Sequence, residues 1–255
     1  MYQEHNAFEK PADENIKIWR YIDFTKFVSL IDRKALFFSK VEKLGDKFEG
    51  APSKVNIQYA SARESRLKKI FSEEQIKLRK KQNREFDAVC LRKWTAVNSW
   101  HMNEYESAAM WKLYLKSDEG IAIQSTFKRL AQSFNECKEH NIWIGMVKYI
   151  DYTKDEMPFN NIFFRITTKR KSFEHERELR AAVAEFPLPS VKHLKNHDPF
   201  ANGLYVPVNL ELLIERVFVS PTAEKWFSDL VQSVTQKYGL SKSVSRSSLA
   251  DDPVF

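Results

Sequence analysis

The chain has 255 residues, 43% of them hydrophobic, with 19 Phe, 9 Tyr and 6 Trp, enough apolar and aromatic side chain to build a core and to exclude a disordered chain. Two cysteines, Cys90 and Cys137, stand without a CxxC pair, which excludes a disulfide framework and a cysteine zinc site. A polar start and the lack of an apolar run of roughly 18 residues lead us to expect a cytoplasmic protein with no membrane partner, and the net charge of +7 fits an anionic one.

Residues 16–22 (IKIWRYI) alternate apolar and polar side chains and read as a first strand. Asp23 is placed to cap a helix over residues 23–33, in which Phe24, Phe27, Val28 and Ile31 recur at helical spacing, and residues 35–40 follow as a second strand. Residues 42–50 form a charged turn with Gly45, Asp46 and Glu49. Residues 60–84 read as a long charged helix with a narrow stripe of Leu67, Ile70, Phe71 and Ile76. Residues 63–85 hold nine Lys or Arg against four Glu. Such a run is either a solvated face or a surface that tracks phosphates, here through Lys77, Arg79, Lys80, Lys81 and Arg84.

A strand is expected over residues 86–100, a helix over 106–115 presenting Met110, Trp111 and Tyr114 on one side, and a strand over 120–124, after which Ser125 or Thr126 caps a helix to residue 134. Residues 142–149 read as a strand, 161–164 as a helix or the approach to one, and 173–183 as the next strand. Pro187, Pro189, Pro199, Gly203 and Pro207 mark residues 185–208 as loop, and residues 217–219 close as a strand. Ser220, Pro221 and Gly239 bracket a helix with Trp226, Leu230 and Val234 on its buried stripe, and residues 244–249 read as a short edge strand. With no repeat or linker, the chain is expected to form one α/β domain over residues 1–255, with a charged helical insertion at about 60–85.

The chain has no glycine-rich phosphate loop, no HExxH, no GxSxG and no EF-hand loop, and its six glycines argue against a glycine-cradled nucleotide. The densest charge lies in residues 169–180, KRKSFEHERELR. As a strand, this segment places Glu174, Glu176, Glu178 and Arg180 on one face. As a helix, it pairs Glu174 with Glu178 on an exposed face. The apolar run at 181–184 favours a buried strand, in which the carboxylates either form a salt bridge with Arg180 or serve a ligand or a reaction. Arg20 and Tyr21 end the first strand, where a guanidinium can clamp a phosphate and a phenol can stack. Ser39 closes the second strand, and Trp100, His101, Trp111 and Tyr114 serve as core or as an aromatic wall. The scattered histidines His101, His175, His193 and His197 suggest no metal set.

The order W-R-Y-I-D, L-F-F-S, G-D-K-F-E-G, M-W-K-L-Y, G-I-A-I, K-R-K-S-F-E-H-E-R-E-L-R and V-F-V-S-P, spanning residues 19–249, resembles a widespread prokaryotic domain family of unassigned activity. Its opening strand-helix-strand and late Glu-x-Glu are similar to the layout of ADP-ribosyltransferases. That resemblance implies an α+β fold with a mixed, mainly antiparallel sheet core and flanking helices, with NAD as substrate and no metal. It implies Glu178 as the catalytic carboxylate with Glu176 beside it, and Arg20 at the NAD pyrophosphate or ribose. Ser125 and Thr126 would take the middle-strand position, although the final serine of a Ser-Thr-Ser signature is missing. Arg180 would help to hold the diphosphate, with Tyr21, Ser39, Trp111 and Tyr114 lining the ligand.

The expected activity is that of an NAD-consuming transferase of toxin or phage-defence type acting on nucleic acid, or on protein, and held in check by an antitoxin or inhibitor. A non-catalytic nucleic-acid-binding or regulatory module is the alternative. A metal-dependent nuclease ranks last, because acids crowded on one strand do not supply ligands from several elements.

Overall fold

The computed structural model describes residues 1–67, 72–78, 91–115, 118–158, 161–186 and 198–253. Among the described residues nine strands form one sheet, mainly antiparallel, with helices against it, so the fold is mixed α+β. Strand β1 (Lys17–Asp23) runs into helix α1 (Phe24–Arg33), where the Asp23 carboxylate accepts from the Lys26 amide as the expected cap. Lys34, in the left-handed region at φ 49°, ends that helix and starts β2 (Ala35–Lys40). Helix α2 (Lys54–Leu67) begins six residues before the expected start.

Strand β3 (Thr95–Met102), helix α3 (Ala108–Tyr114), strand β4 (Gly120–Thr126) and helix α4 (Phe127–Ser133) follow in the expected order, with Thr126 as the α4 cap, but the strand expected from residue 86 starts only at Thr95, after a helical turn at Leu91–Lys93. The strand expected over 142–149 is two strands, β5 (Trp143–Met146) and β6 (Lys148–Ile150). It breaks at Val147, whose amide donates to the Glu178 carbonyl at 2.9 Å while the chain changes partner. β6 then pairs in parallel with β7 (Thr168–Arg170).

Strand β3 organises the sheet, since it pairs with β1, with β2 and with β8 (Glu178–Ala184). β1 and β2 both lie on the same edge of β3, β1 at His101 and Met102 and β2 at Ala96 and Val97. Between these two contacts the edge is split, and side chains replace the missing ladder bonds. Arg20 Nη1 donates to the Ser99 carbonyl at 2.7 Å, and Asn98 Nδ2 donates to the Phe37 carbonyl at 2.8 Å. β5 flanks β8, β9 (Leu204–Pro207) flanks β2, and β10 (Arg216–Val219) and β11 (Val244–Arg246) extend the sheet beyond β4.

One face of the sheet is mainly apolar. Ile18, Ile22, Leu36, Phe38, Ala96, Trp100, Leu179 and Val183 pack there with residues of α1 and α4, interrupted by Asn98, which accepts from the Trp100 indole N–H, and by the stem of Arg20. The other face carries two separate apolar clusters, one around Val97 and Ala182 and one around Trp19, Tyr21 and Trp111. Ser99, His101, Glu178 and Arg180 share the face of those clusters by strand alternation.

The last helix, α5 (Lys225–Lys237), differs from expectation. Pro221 lies in a turn closed by the Ala223 amide on the Ser220 carbonyl, and the helix starts only after Glu224. The buried stripe is therefore Phe227, Val231 and Thr235, with Val234 partly buried, while Trp226 and Leu230 are 54% and 39% exposed. Gly239, at φ 72°, follows the helix end as expected. Among the described residues no helix is long and apolar enough to cross a membrane.

Candidate active site

Residues 169–180 do not form the single strand expected of them. β7 ends at Arg170, a 3-10 helix runs over Lys171–Glu176, and Arg177 takes the left-handed conformation at φ 41° before β8 begins at Glu178. The Arg177 amide closes the 3-10 turn on the Glu174 carbonyl. Glu174 is consequently exposed and stands outside the cluster, while Glu176 and Glu178 approach one another from two different elements.

At the centre lies Arg180, buried, with all five guanidinium N–H groups engaged. Nε and Nη2 donate to the two oxygens of Glu178 at 2.8 and 2.9 Å, Nη1 and Nη2 donate to Glu49 at 2.9 and 3.2 Å, and Nη1 also reaches the Ile166 carbonyl at 2.6 Å. Lys169 sits between the acids, 2.5 Å from Glu176, 3.4 Å from Glu178 and 3.6 Å from Glu49. Three carboxylates thus face two cations, and one negative charge is left over in a buried cluster.

Tyr149 Oη accepts from the Glu178 amide at 2.8 Å, and His101 Nδ1 is 2.7 Å from the Glu176 carbonyl. Burial lowers the His101 pKa and so keeps the ring neutral.

The two adjacent acids are driven in opposite directions. Burial alone would raise the Glu178 carboxyl, but the charges of Arg180 and Lys169 outweigh it and hold the group at about 2. Burial raises Glu176, the Lys169 contact offsets only part of that, and the Glu178 charge adds to it. Such a split separates a permanently ionised carboxylate from one that exchanges protons more readily.

Because Glu178 is depressed in the fold, its stabilisation is present above the unfolded value near 4.5 and disappears as pH falls through the range towards 2. Glu176 has the opposite sign: its contribution is present below 4.5 and is lost as pH rises through its raised value. Urea unfolding between pH 2 and 7 is expected to show a loss on acidification of about 3 kcal/mol from Glu178. The difference between the unaltered protein and Glu178→Gln isolates it, and parallel curves for the two proteins would refute it.

Arg20 alternates with Ile18 and Ile22 and so starts on the mainly apolar face, opposite Glu178. Its guanidinium enters the split, bonds the Ser99 carbonyl and lies 5.9 Å from the Trp100 ring centroid. It has no carboxylate partner among the described residues, and burial lowers it to about 10, still charged at neutral pH. Ser99 is the bridge between the poles, with its carbonyl on Arg20 and its hydroxyl on the Glu178 carboxylate.

Tyr114 faces both poles: burial first, then the Glu176 and Glu178 charges raise its hydroxyl to about 12, and Lys169 and Arg20 oppose them. Its residue remains 49% exposed.

The other expected ligand residues are placed differently. Tyr21 and Trp111 are buried, in edge-to-face contact at 5.0 Å, with the Tyr21 hydroxyl taken by the Ser107 amide. Ser125 is fully buried with its hydroxyl on the Leu213 carbonyl at 2.5 Å, and Thr126 caps α4, so neither is brought to the carboxylates. Ser39 is half-buried opposite Val97, one same-face rung from Arg180. Lys77 is exposed, and Arg79, Lys80, Lys81 and Arg84 lie outside the described residues, as do His193 and His197. Glu49, Ser99 and Tyr149 join the site without any sequence spacing that would have grouped them with the charged segment at 169–180. Among the described residues no His, Cys, Asp or Glu group is arranged to hold a metal ion.

No family model matches the chain, and no curated protein matches it. Two solved structures of DarT from Thermus sp. 2.9 are similar to it. One, in complex with ADP-ribosylated ssDNA, has a TM-score of 0.40 and 8% identity over 94% of this chain and 95% of that chain. The other, in complex with NAD+, has a TM-score of 0.41 and 6% identity over 92% and 97%. A likeness of that depth carries nothing about activity, which has to be read from the residues of the site itself.

Proposed function

We propose that the chain binds NAD and transfers its ADP-ribose to a nucleic-acid acceptor, as a transferase of toxin or phage-defence type. The observation that carries this is the separation of charge across the sheet split. A guanidinium without a carboxylate partner among the described residues lies on one side of Ser99, and a buried cluster with one negative charge in excess lies on the other. NAD has the matching polarity, with an anionic diphosphate joined to a ribose that becomes cationic as the bond to nicotinamide breaks.

Arg20 would hold the diphosphate by charge-assisted hydrogen bonds. Glu178, ionised at any physiological pH, would stabilise the developing positive charge on the ribose. The pair of electrons of the broken bond leaves with nicotinamide, the acceptor forms the new bond to the ribose carbon, and Glu176 is the nearby group suited to take the acceptor's proton. Tyr114 is the exposed ring against which a planar group can stack. The positive balance of the chain suits a polyanionic acceptor, and Lys77 with the basic residues around it would steer it.

Arg20→Ala is expected to weaken NAD binding by about 10- to 100-fold, the size of one lost charged hydrogen bond, and also to lower the melting temperature, because the Ser99 carbonyl loses its donor. Calorimetric titration with NAD measures this, and unchanged affinity would remove Arg20 from the site.

One observation favours a second function, a non-catalytic binding module. Glu178 is only 3% exposed and both of its oxygens are engaged by Arg180, as in a purely structural ion network. Incubation with labelled NAD and RNA, DNA or lysate separates the two. Label transfer or nicotinamide release supports the transferase, whereas salt-sensitive nucleic-acid binding without NAD turnover supports the module.

A further inference from the structure

Helix α3 brings Tyr114 to the site, yet its seven residues are too few to hold a helix in water on their own. Its place is set by side chains. Ser107 caps its first turn, Met110 and Trp111 are buried beside Trp19, Tyr21 and Ala122, and the Trp111 indole N–H donates to Glu106 Oε2 at 3.0 Å.

The same carboxylate receives the C-terminal segment. Glu106 accepts from the Ser247 hydroxyl at 2.5 Å, from the Ser248 amide at 2.7 Å and from the Ser248 hydroxyl at 2.7 Å. That segment is anchored in turn by β11 on β10 and by the Ser247 amide on the Val219 carbonyl. Burial would raise the Glu106 carboxyl, but the Ser247, Ser248 and Trp111 bonds outweigh it and keep the group ionised. No Lys or Arg pairs with Glu106 among the described residues, so one carboxylate, served by neutral donors, ties the loop before α3, the helix itself and the tail together.

We infer that Glu106 is a positioning residue for the ligand site, acting through Trp111 on Tyr114, and that Ser247 and Ser248 are the latch that holds it. This rests on the assignment of Tyr114 to the NAD site above. The latch connects the far edge of the sheet to the mouth of the site, since β11 is an edge strand and α3 ends at Tyr114. Loss of the carboxylate, or of the two serine donors, frees α3 without touching the ion cluster around Arg180.

The test compares Glu106→Gln, the double variant Ser247→Ala with Ser248→Ala, and Ser248→Thr, in the full chain. Amide hydrogen exchange over Ala108–Tyr114 is expected to quicken by about 10- to 100-fold in the first two, with exchange in β3 and β8 unchanged. The NAD dissociation constant, by calorimetry, is expected to rise about 3- to 10-fold, the size of one aromatic contact. Ser248→Thr, which keeps the hydroxyl, is expected to behave as the unaltered protein. Unchanged exchange over α3 in both disabling variants overturns the latch, whether or not the unaltered protein binds NAD. Faster exchange with an unchanged NAD constant overturns the positioning role. Failure of the unaltered protein to bind NAD defeats the proposed function alone, and the exchange data still decide the latch.

Discussion

Replacing Glu178 by Gln is expected to lower ADP-ribose transfer by about 10³-fold, the loss found when one preorganised charge partner of a transition state is removed, while NAD affinity changes only a few-fold. The reason lies in when the charge is needed. The carboxylate meets a neutral ribose in the bound state and a cationic one as the nicotinamide bond breaks, so the interaction belongs chiefly to the transition state. Gln preserves the volume and can still accept a hydrogen bond from Arg180, but it removes the charge that Arg180 and Lys169 hold ionised. Nicotinamide release in single-turnover experiments measures the chemical step directly. A variant that releases nicotinamide at the unaltered rate would place Glu178 in a structural network and leave the reaction, if any, to other groups.

The second large effect concerns stability. Arg180→Leu is expected to cost about 3–5 kcal/mol, because it leaves buried charges without their partner. Glu178 and Glu49, both almost fully buried, would share the single ammonium of Lys169 as their cationic partner, 3.4 and 3.6 Å away. Arg180→Lys is expected to recover little, since an ammonium with three donors cannot reproduce a fork that engages two carboxylates and the Ile166 carbonyl together. Adding Glu49→Leu to Arg180→Leu is expected to restore part of the loss by removing one unpaired acid, and a double-mutant cycle in urea gives the coupling. Additive losses for the two substitutions would show that Glu49 and Arg180 do not depend on one another.

The early half of the fold was legible because its signals are local. Asp23 caps α1 through its own side chain, Thr126 does the same for α4, and the alternation in residues 16–22 needs nothing beyond neighbouring residues. Two elements read wrongly also have local causes. A Pro at residue 221 suits a turn as well as a first helical position, so α5 starts four residues later than expected, and its buried stripe is Phe227 and Val231 in place of Trp226 and Leu230. Period-two counting through residues 174–180 ran past Arg177, whose left-handed backbone interrupts the strand. A non-glycine residue at positive φ leaves no mark in the sequence.

The site divides in the same way. By itself the sequence determined that the acids and Arg180 would be concentrated around residues 169–180 and that apolar neighbours at 181–184 would bury part of them. Only the tertiary structure decided which charges meet. Glu49 comes from a turn 131 residues away from Arg180, and Arg20 meets Ser99 across 79 residues. Both encounters follow from three strands sharing one β3, and from the split that two of them leave on its edge. Strand pairing between distant segments is set by the packing of whole faces, and no residue spacing along the chain encodes it.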